Sequence, residues 1–170
     1  YFSDYAVTNE TVGIPSEAVK TLAENDAVES VSTTRLSVFM PGAADILPFE
    51  TDLSVQSHET LQLVNVDEAQ LQIYAPNLSA QDKQALKDGT GCLVKNPIAF
   101  SYGDTTVQQT DLTVGDTIQL GDRTLPVLGL IDTAITINND GFTNGVQLIV
   151  NDEIYCSLLG NDSYSEVYPT

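Results

Sequence analysis

Two cysteines and one histidine are the residues of this 170-residue chain best suited to covalent or metal chemistry. Cys92 stands in the apolar run Cys-Leu-Val, where the pattern predicts a strand. Cys156 stands in Asn151-Asp-Glu-Ile-Tyr-Cys-Ser-Leu-Leu-Gly160, which reads as a short helix. Read as buried small hydrophobes, both would be inert. The alternative is a Cys92–Cys156 disulfide, open only in an oxidising compartment. His58 lies in the polar stretch Val55-Gln-Ser-His-Glu-Thr60 and reads as a solvated loop residue. Without a second histidine, and with the cysteines read as structural, no usual zinc ligand set can be assembled. Asn138-Asn-Asp-Gly141 is faintly calcium-loop-like, but it lacks the alternating acids and the distant Glu, and it reads as a plain turn. G-x-S-x-G and phosphate-cradling G-x-x-x-x-G-K-[ST] patterns are both absent. Gly89-Thr-Gly91 follows a helix instead of opening one, so it reads as a helix C-cap. Carboxylates are plentiful enough for a paired-acid glycosidase site. With no Trp and only 7% aromatic residues, however, platforms for stacking sugars are scarce. The residues therefore assign no catalytic group, no cofactor and no metal, and leave substrate-binding positions unassigned.

Charge narrows the partners. Six Lys and Arg stand against 24 Asp and Glu, a net charge of −18. Such a surface repels nucleic acid phosphates and anionic lipid headgroups. It keeps a protein soluble, and it can recruit cations or a basic peptide. The apolar fraction of 42% is ordinary for a globular chain, and the length suits one domain or two small lobes. No apolar run approaches the roughly 20 residues of a spanning helix, and no signal peptide is present. The chain starts at Tyr1 and ends at Tyr168-Pro-Thr170, and we read it as an excised fragment.

The elements that must position these residues follow from periodicity. Asp4–Thr8 reads as a strand. Ile14 to Asp26 reads as a helix, with Pro15 in its first turn and Ile14, Ala18, Val19, Leu22 and Ala23 forming one apolar stripe. Val28 to Phe39 is a long strand, and residues 41 to about 60 have loop character. Leu61–Val66 and Leu71–Tyr74 read as strands. Ser79 and Asp82 have capping-box spacing at the start of a second helix that Gly89 ends. Further strands are expected at Cys92–Val94, Ile98–Tyr102, Thr117–Leu120, Thr124–Leu130, Ala134–Ile137 and Val146–Val150. The turns Gly115-Asp116 and Gly121-Asp122 separate three of them. Asn151 caps a third helix, and Val167-Tyr168 closes the chain as a strand.

Several of these segments, in this order, resemble the extracytoplasmic domain of MacB/FtsX-type ABC transporter permeases. The matching residues are Ala27-Val-Glu-Ser-Val31, Gly89-Thr-Gly-Cys-Leu-Val94, Val114-Gly-Asp-Thr-Ile118, Val127-Leu-Gly-Leu-Ile-Asp132 and the strand–helix from Val146. The segment 41–66 departs from the family pattern. The resemblance implies an α+β fold. Two β-α-β-like halves, residues 1–40 and 145–170, would form a porter-like lobe carrying a mostly β inserted lobe with one short helix at 41–144. It also implies a non-catalytic domain on the extracytoplasmic face of the bacterial plasma membrane. Its implied partners are its own transmembrane helices, a cytoplasmic ATPase, and a peptide, lipoprotein or antibiotic substrate, with a homodimer in the full transporter. The two terminal strands should then lie close together, because both must reach neighbouring membrane helices. The competing readings are a secreted or cell-surface binding or adhesion module and a hydrolase whose site the residues do not reveal.

Overall fold

Eight strands pair into one mixed sheet, and helices pack on both of its faces. The computed structural model describes residues 5–8, 13–40, 47–55, 60–98, 100–107, 110–136 and 145–170. In chain order the elements are β1 (Val7–Thr8), α1 (Ser16–Ala23), β2 (Val31–Phe39), β3 (Thr60–Val66), α2 (Glu68–Tyr74), α3 (Ala80–Asp88) and β4 (Cys92–Lys95). Then come β5 (Phe100–Tyr102), β6 (Thr105–Val107), β7 (Thr117–Leu120), β8 (Arg123–Leu130), β9 (Gly145–Ile149), α4 (Asp152–Leu159) and β10 (Glu166–Pro169). Across the sheet the order is β1-β10-β2-β3-β9-β4-β8-β7, with β5 and β6 as a separate ribbon. Strands from 1–40 and 145–170 thus share one sheet with strands from 41–144. Pairing is parallel between β3 and β9 and between β4 and β8, and antiparallel elsewhere. The terminal strands are neighbours as expected: β1 lies antiparallel on β10, with Val7 opposite Val167.

Period-2 alternation sends successive side chains to opposite faces. On one face Leu61, Leu63, Cys92, Val94, Val146 and Leu148 meet Ile154 and Tyr155 of α4. On the other, Val64, Leu93 and Ile149 meet Leu71 of α2 and Leu86 of α3. The helix ends follow their caps. Asp67, Ser79 and Asn151 accept from the N–H of Gln70, Asp82 and Ile154, and Gly89 and Gly160 close α3 and α4 with positive φ.

Four local expectations are corrected. Leu71–Tyr74 belongs to α2, because Asp67 caps a helix that begins before the alternating segment. The stretch 134–136 forms no strand, since the backbone of Ile135 is bonded to a side chain instead of a ladder. Ile98 lies outside β5 and is exposed, and the partner strand β6 was not anticipated. The helix α1 is shorter than expected, with Pro15 at its N-cap, and no side chain within it is fully buried; the buried apolar residue is Ile14, just before it.

Candidate functional site: three buried polar clusters and a groove

Each face of the sheet holds buried polar groups among its apolar side chains. On the α4 face the hub is Arg35 of β2, one of only six basic residues. Its Nη1 donates to Asn65 Oδ1 at 2.8 Å and to Asp152 at 3.3 Å. Its Nε and Nη2 both donate to the Asp162 carbonyl, at 3.3 and 3.1 Å. The guanidinium also lies 3.9 Å over the Tyr164 ring. Asn65 in turn donates to the Val150 carbonyl. One side chain thereby ties β2 to β3, to the start of α4 and to the loop that leads into β10. Asp152 is 81% exposed, so water screens this ion pair and the neutral acceptors carry most of the hydrogen bonding.

The opposite face holds two amide clusters. Gln70 of α2 accepts from Thr34 Oγ1 at 2.8 Å and donates to Ser32 Oγ and the Thr33 carbonyl. Beside Thr34, the buried Glu166 of β10 accepts from the hydroxyl of Tyr168. Burial, reinforced by the bond to Glu166, pushes the Tyr168 phenol up; burial and then Glu166 do the same to Tyr74. Further along, Gln147 Nε2 donates to Gln62 Oε1 and to the Ile135 carbonyl, both at 2.7 Å, while its Oε1 accepts from Ile135 N–H at 2.8 Å. Every hydrogen-bonding position on the donor side of that amide is used.

The cysteines are free thiols in this structure, so the disulfide alternative is not what it holds. Cys92 sits fully buried on β4 and Cys156 half-buried on α4. Burial alone pushes the Cys92 thiol up to about 12. Burial also raises Cys156, helped by Asp152 and Asp162 and opposed by Arg35. The folded state therefore resists ionising Cys92. Its contribution to stability is complete below the ordinary thiol range and is lost as pH rises toward 12, by about 4 kcal/mol across that window. Two outcomes are expected. Native protein should expose Cys156 to a thiol reagent while Cys92 reacts only after denaturation. Urea melts should show stability falling above about pH 9, and less steeply in Cys92→Ala. Equal reactivity of both thiols in native protein would contradict this burial.

Two hollows open on the surface of the described residues. A groove of about 390 Å³ lies where the α2–α3 linker crosses the end of β8. Tyr74, Leu78, Leu128 and Ile131 line it, with Asp82 and Asp132 beside them. A second hollow, about 290 Å³, lies between 52–54, 110–112 and β7. Two of its polar side chains are engaged: Asp52 accepts from Gln119 N–H, and Thr110 donates to the Ser54 carbonyl. Among the described residues no three His, Cys, Asp or Glu side chains are grouped to hold a metal. His58 and Asn138–Gly141 fall outside the described residues. Gly89 is the α3 C-cap, and a Cβ at Gly91 would stand 2.5 Å from Leu128, so this pair of glycines serves packing.

Arg35, Gln70, Gln147 and Glu166 were missed as important positions. The one signal available for Arg35 was a base inside an otherwise uncharged strand of a chain poor in bases.

No protein-family model matches the sequence, and no curated protein matches it. Among solved structures, the extracellular domain of the noncanonic ABC-type transporter YknZ from Gram-positive bacteria aligns over 93% of this chain and 73% of its own. That alignment has a TM-score of 0.53 and 12% identity. The periplasmic region of MacB from Actinobacillus actinomycetemcomitans aligns over 96% of this chain and 65% of its own, with a TM-score of 0.45 and 11% identity. At that score the second match adds nothing to the fold assignment. In fold, this chain is similar to the extracellular domain of the ABC-type transporter YknZ.

Proposed function

We propose that this chain is a non-catalytic extracytoplasmic domain of an ABC transporter permease, coupling cytoplasmic ATP hydrolysis to substrate extraction or export, or to a signal across the membrane. The observation that carries the reading is the pairing of β1 with β10 in a sheet whose fold is similar to an extracellular transporter domain. With first and last strands side by side, the domain can sit between two consecutive membrane helices without spreading them. Among the described residues no helix is long and apolar enough to cross a membrane, so the spanning segments would be supplied by flanking chain. In this reading β10 is the mechanical link. It is held on one side by β1 and on the other by β2, and the loop before it is clamped by Arg35. The porter-like lobe would be 1–40 with 145–170 and the inserted lobe 41–144, whose β5–β6 ribbon stands apart from the eight-stranded sheet. The ATPase would be cytoplasmic, the cargo a peptide, lipoprotein or antibiotic, and the assembled transporter a homodimer.

Deletion tests the coupling. Removing residues 1–170 from the full-length protein, with a short Gly/Ser bridge in their place, should leave membrane insertion and association with the ATPase intact and abolish the transport or signalling phenotype. An unchanged phenotype would contradict a coupling role.

A further inference from the structure

We propose that Asn77 and Asn161 are acceptors for N-linked glycans, carried on their side-chain nitrogens outside the cell. The inference rests on the extracytoplasmic reading and adds a modification site to it.

Both residues open an Asn-X-Ser sequence, Asn77-Leu-Ser79 and Asn161-Asp-Ser163, the pattern that a glycan-transferring enzyme requires of its acceptor. Both are exposed and lie in short connections, Asn77 between α2 and α3 and Asn161 between α4 and β10. Their amide nitrogens set them apart from the structural asparagines. Asn65, Asn96 and Asn151 donate from Nδ2 to the carbonyls of Val150, Leu112 and Lys87, and none of the three begins such a sequence. Nδ2 of Asn77 and Nδ2 of Asn161 have no hydrogen-bond partner among the described residues. At Asn161 the side chain is also held in a turn, because its Oδ1 accepts from the Ser163 N–H at 3.2 Å. The space beside it is open: a Cβ on the adjacent Gly160 would meet nothing within 4 Å.

Asn25 provides an internal comparison. It is exposed, precedes an aspartate and accepts from the Ala27 N–H at 2.9 Å in the same kind of turn. Asn25-Asp-Ala27 lacks only the hydroxyl at its third position, the group on which recognition of an acceptor depends.

The step is a glycosyl transfer from an oligosaccharide joined through C1 to a membrane lipid phosphate. Nδ2 attacks C1. The C1–N bond forms as the C1–O bond breaks, the lipid phosphate leaves, and the proton lost from Nδ2 passes to solvent. A lipid-borne donor meets its acceptor at the membrane, where the transport reading holds this domain.

The test is peptide mass spectrometry of the full-length protein purified from the membranes of its own host. The protein carries Asp104→Cys and Cys156→Ser, so that an impermeant maleimide reports the side of the membrane in the same cells. Peptides spanning Asn77 and Asn161 are expected to carry mass additions that fragment as sugar residues, and the peptide spanning Asn25 none. Asn77→Gln and Asn161→Gln should each remove one addition completely. Ser163→Ala should remove the Asn161 addition and Ser163→Thr keep it, while Ala27→Ser should create one at Asn25. Unmodified peptides at both Asn77 and Asn161, with Asp104→Cys labelled from outside, would overturn this proposal alone. Unmodified peptides with labelling only after lysis would overturn the transport reading with it. An Asn161 addition that survives Ser163→Ala would also overturn the proposal.

Discussion

Replacing Gln147 by Leu is expected to destabilise the fold by about 4 kcal/mol, a fall in Tm of roughly 8–16 °C for a chain of this size. The reason is the position of the amide. Gln147 is fully buried on the central strand β9, and its side chain alone bonds both the N–H and the carbonyl of Ile135 while also donating to Gln62. Leucine fills most of the volume but leaves those three groups in a dry environment. Each such group costs about 1–3 kcal/mol when it loses its partner. The effect should be local before it is global. Hydrogen exchange at Ile135 should accelerate by more than the change in global stability explains, because the amide is what holds this unpaired stretch to the sheet. A melt within 1 kcal/mol of wild type, with Ile135 still protected, would show that another contact holds the segment.

Arg35→Met is expected to cost about 3 kcal/mol. The aliphatic length is kept, so the loss reports hydrogen bonds and the stacking on Tyr164 more than a cavity. Because Asp152 is largely exposed, removing Arg35 strands no buried charge, which keeps the cost at the low end for a buried cation. Arg35→Lys separates charge from geometry. Lysine keeps the charge but cannot serve Asn65 and the Asp162 carbonyl in one plane, so it should recover less than half of the loss. Urea melts of the three proteins measure both effects. Full recovery in Arg35→Lys would mean that charge alone matters at this position.

Much of the local structure was legible because caps and alternation act at short range. Ser79 with Gly89 bounded α3, and Asn151 with Gly160 bounded α4. Val146–Val150 and Thr117–Leu120 alternated or ran apolar as buried strands do. Two expectations fail for local reasons. Leu71-Gln-Ile-Tyr74 alternates like a strand, but Asp67 and Gln70 already have the spacing of a helix start. The apolar 134–137 stretch reads as a strand, yet a glutamine twelve residues later provides the bonds for Ile135. The buried clusters were out of reach for a different reason. Arg35 meets Asn65, Asp152 and Asp162, and Gln147 meets Gln62, at separations that only the strand order sets. The groove is likewise a product of topology, since Leu78 and Gly129 come together through the parallel pairing of β4 with β8. The fold similarity was legible from the order of several weak segments.

The central claim is that this domain lies outside the cytoplasmic membrane, held there by the chain on either side of it. The direct measurement is labelling of a single engineered cysteine, Asp104→Cys in the exposed β5–β6 turn, in the full-length protein with Cys156→Ser removing the half-buried native thiol. A membrane-impermeant maleimide is added to intact cells, and membranes are then washed with carbonate. The account predicts labelling without lysis and retention of the protein in the membrane pellet. Labelling only after lysis would place the domain inside the cell, and recovery in the medium would make it a secreted binding module; either result would contradict the account.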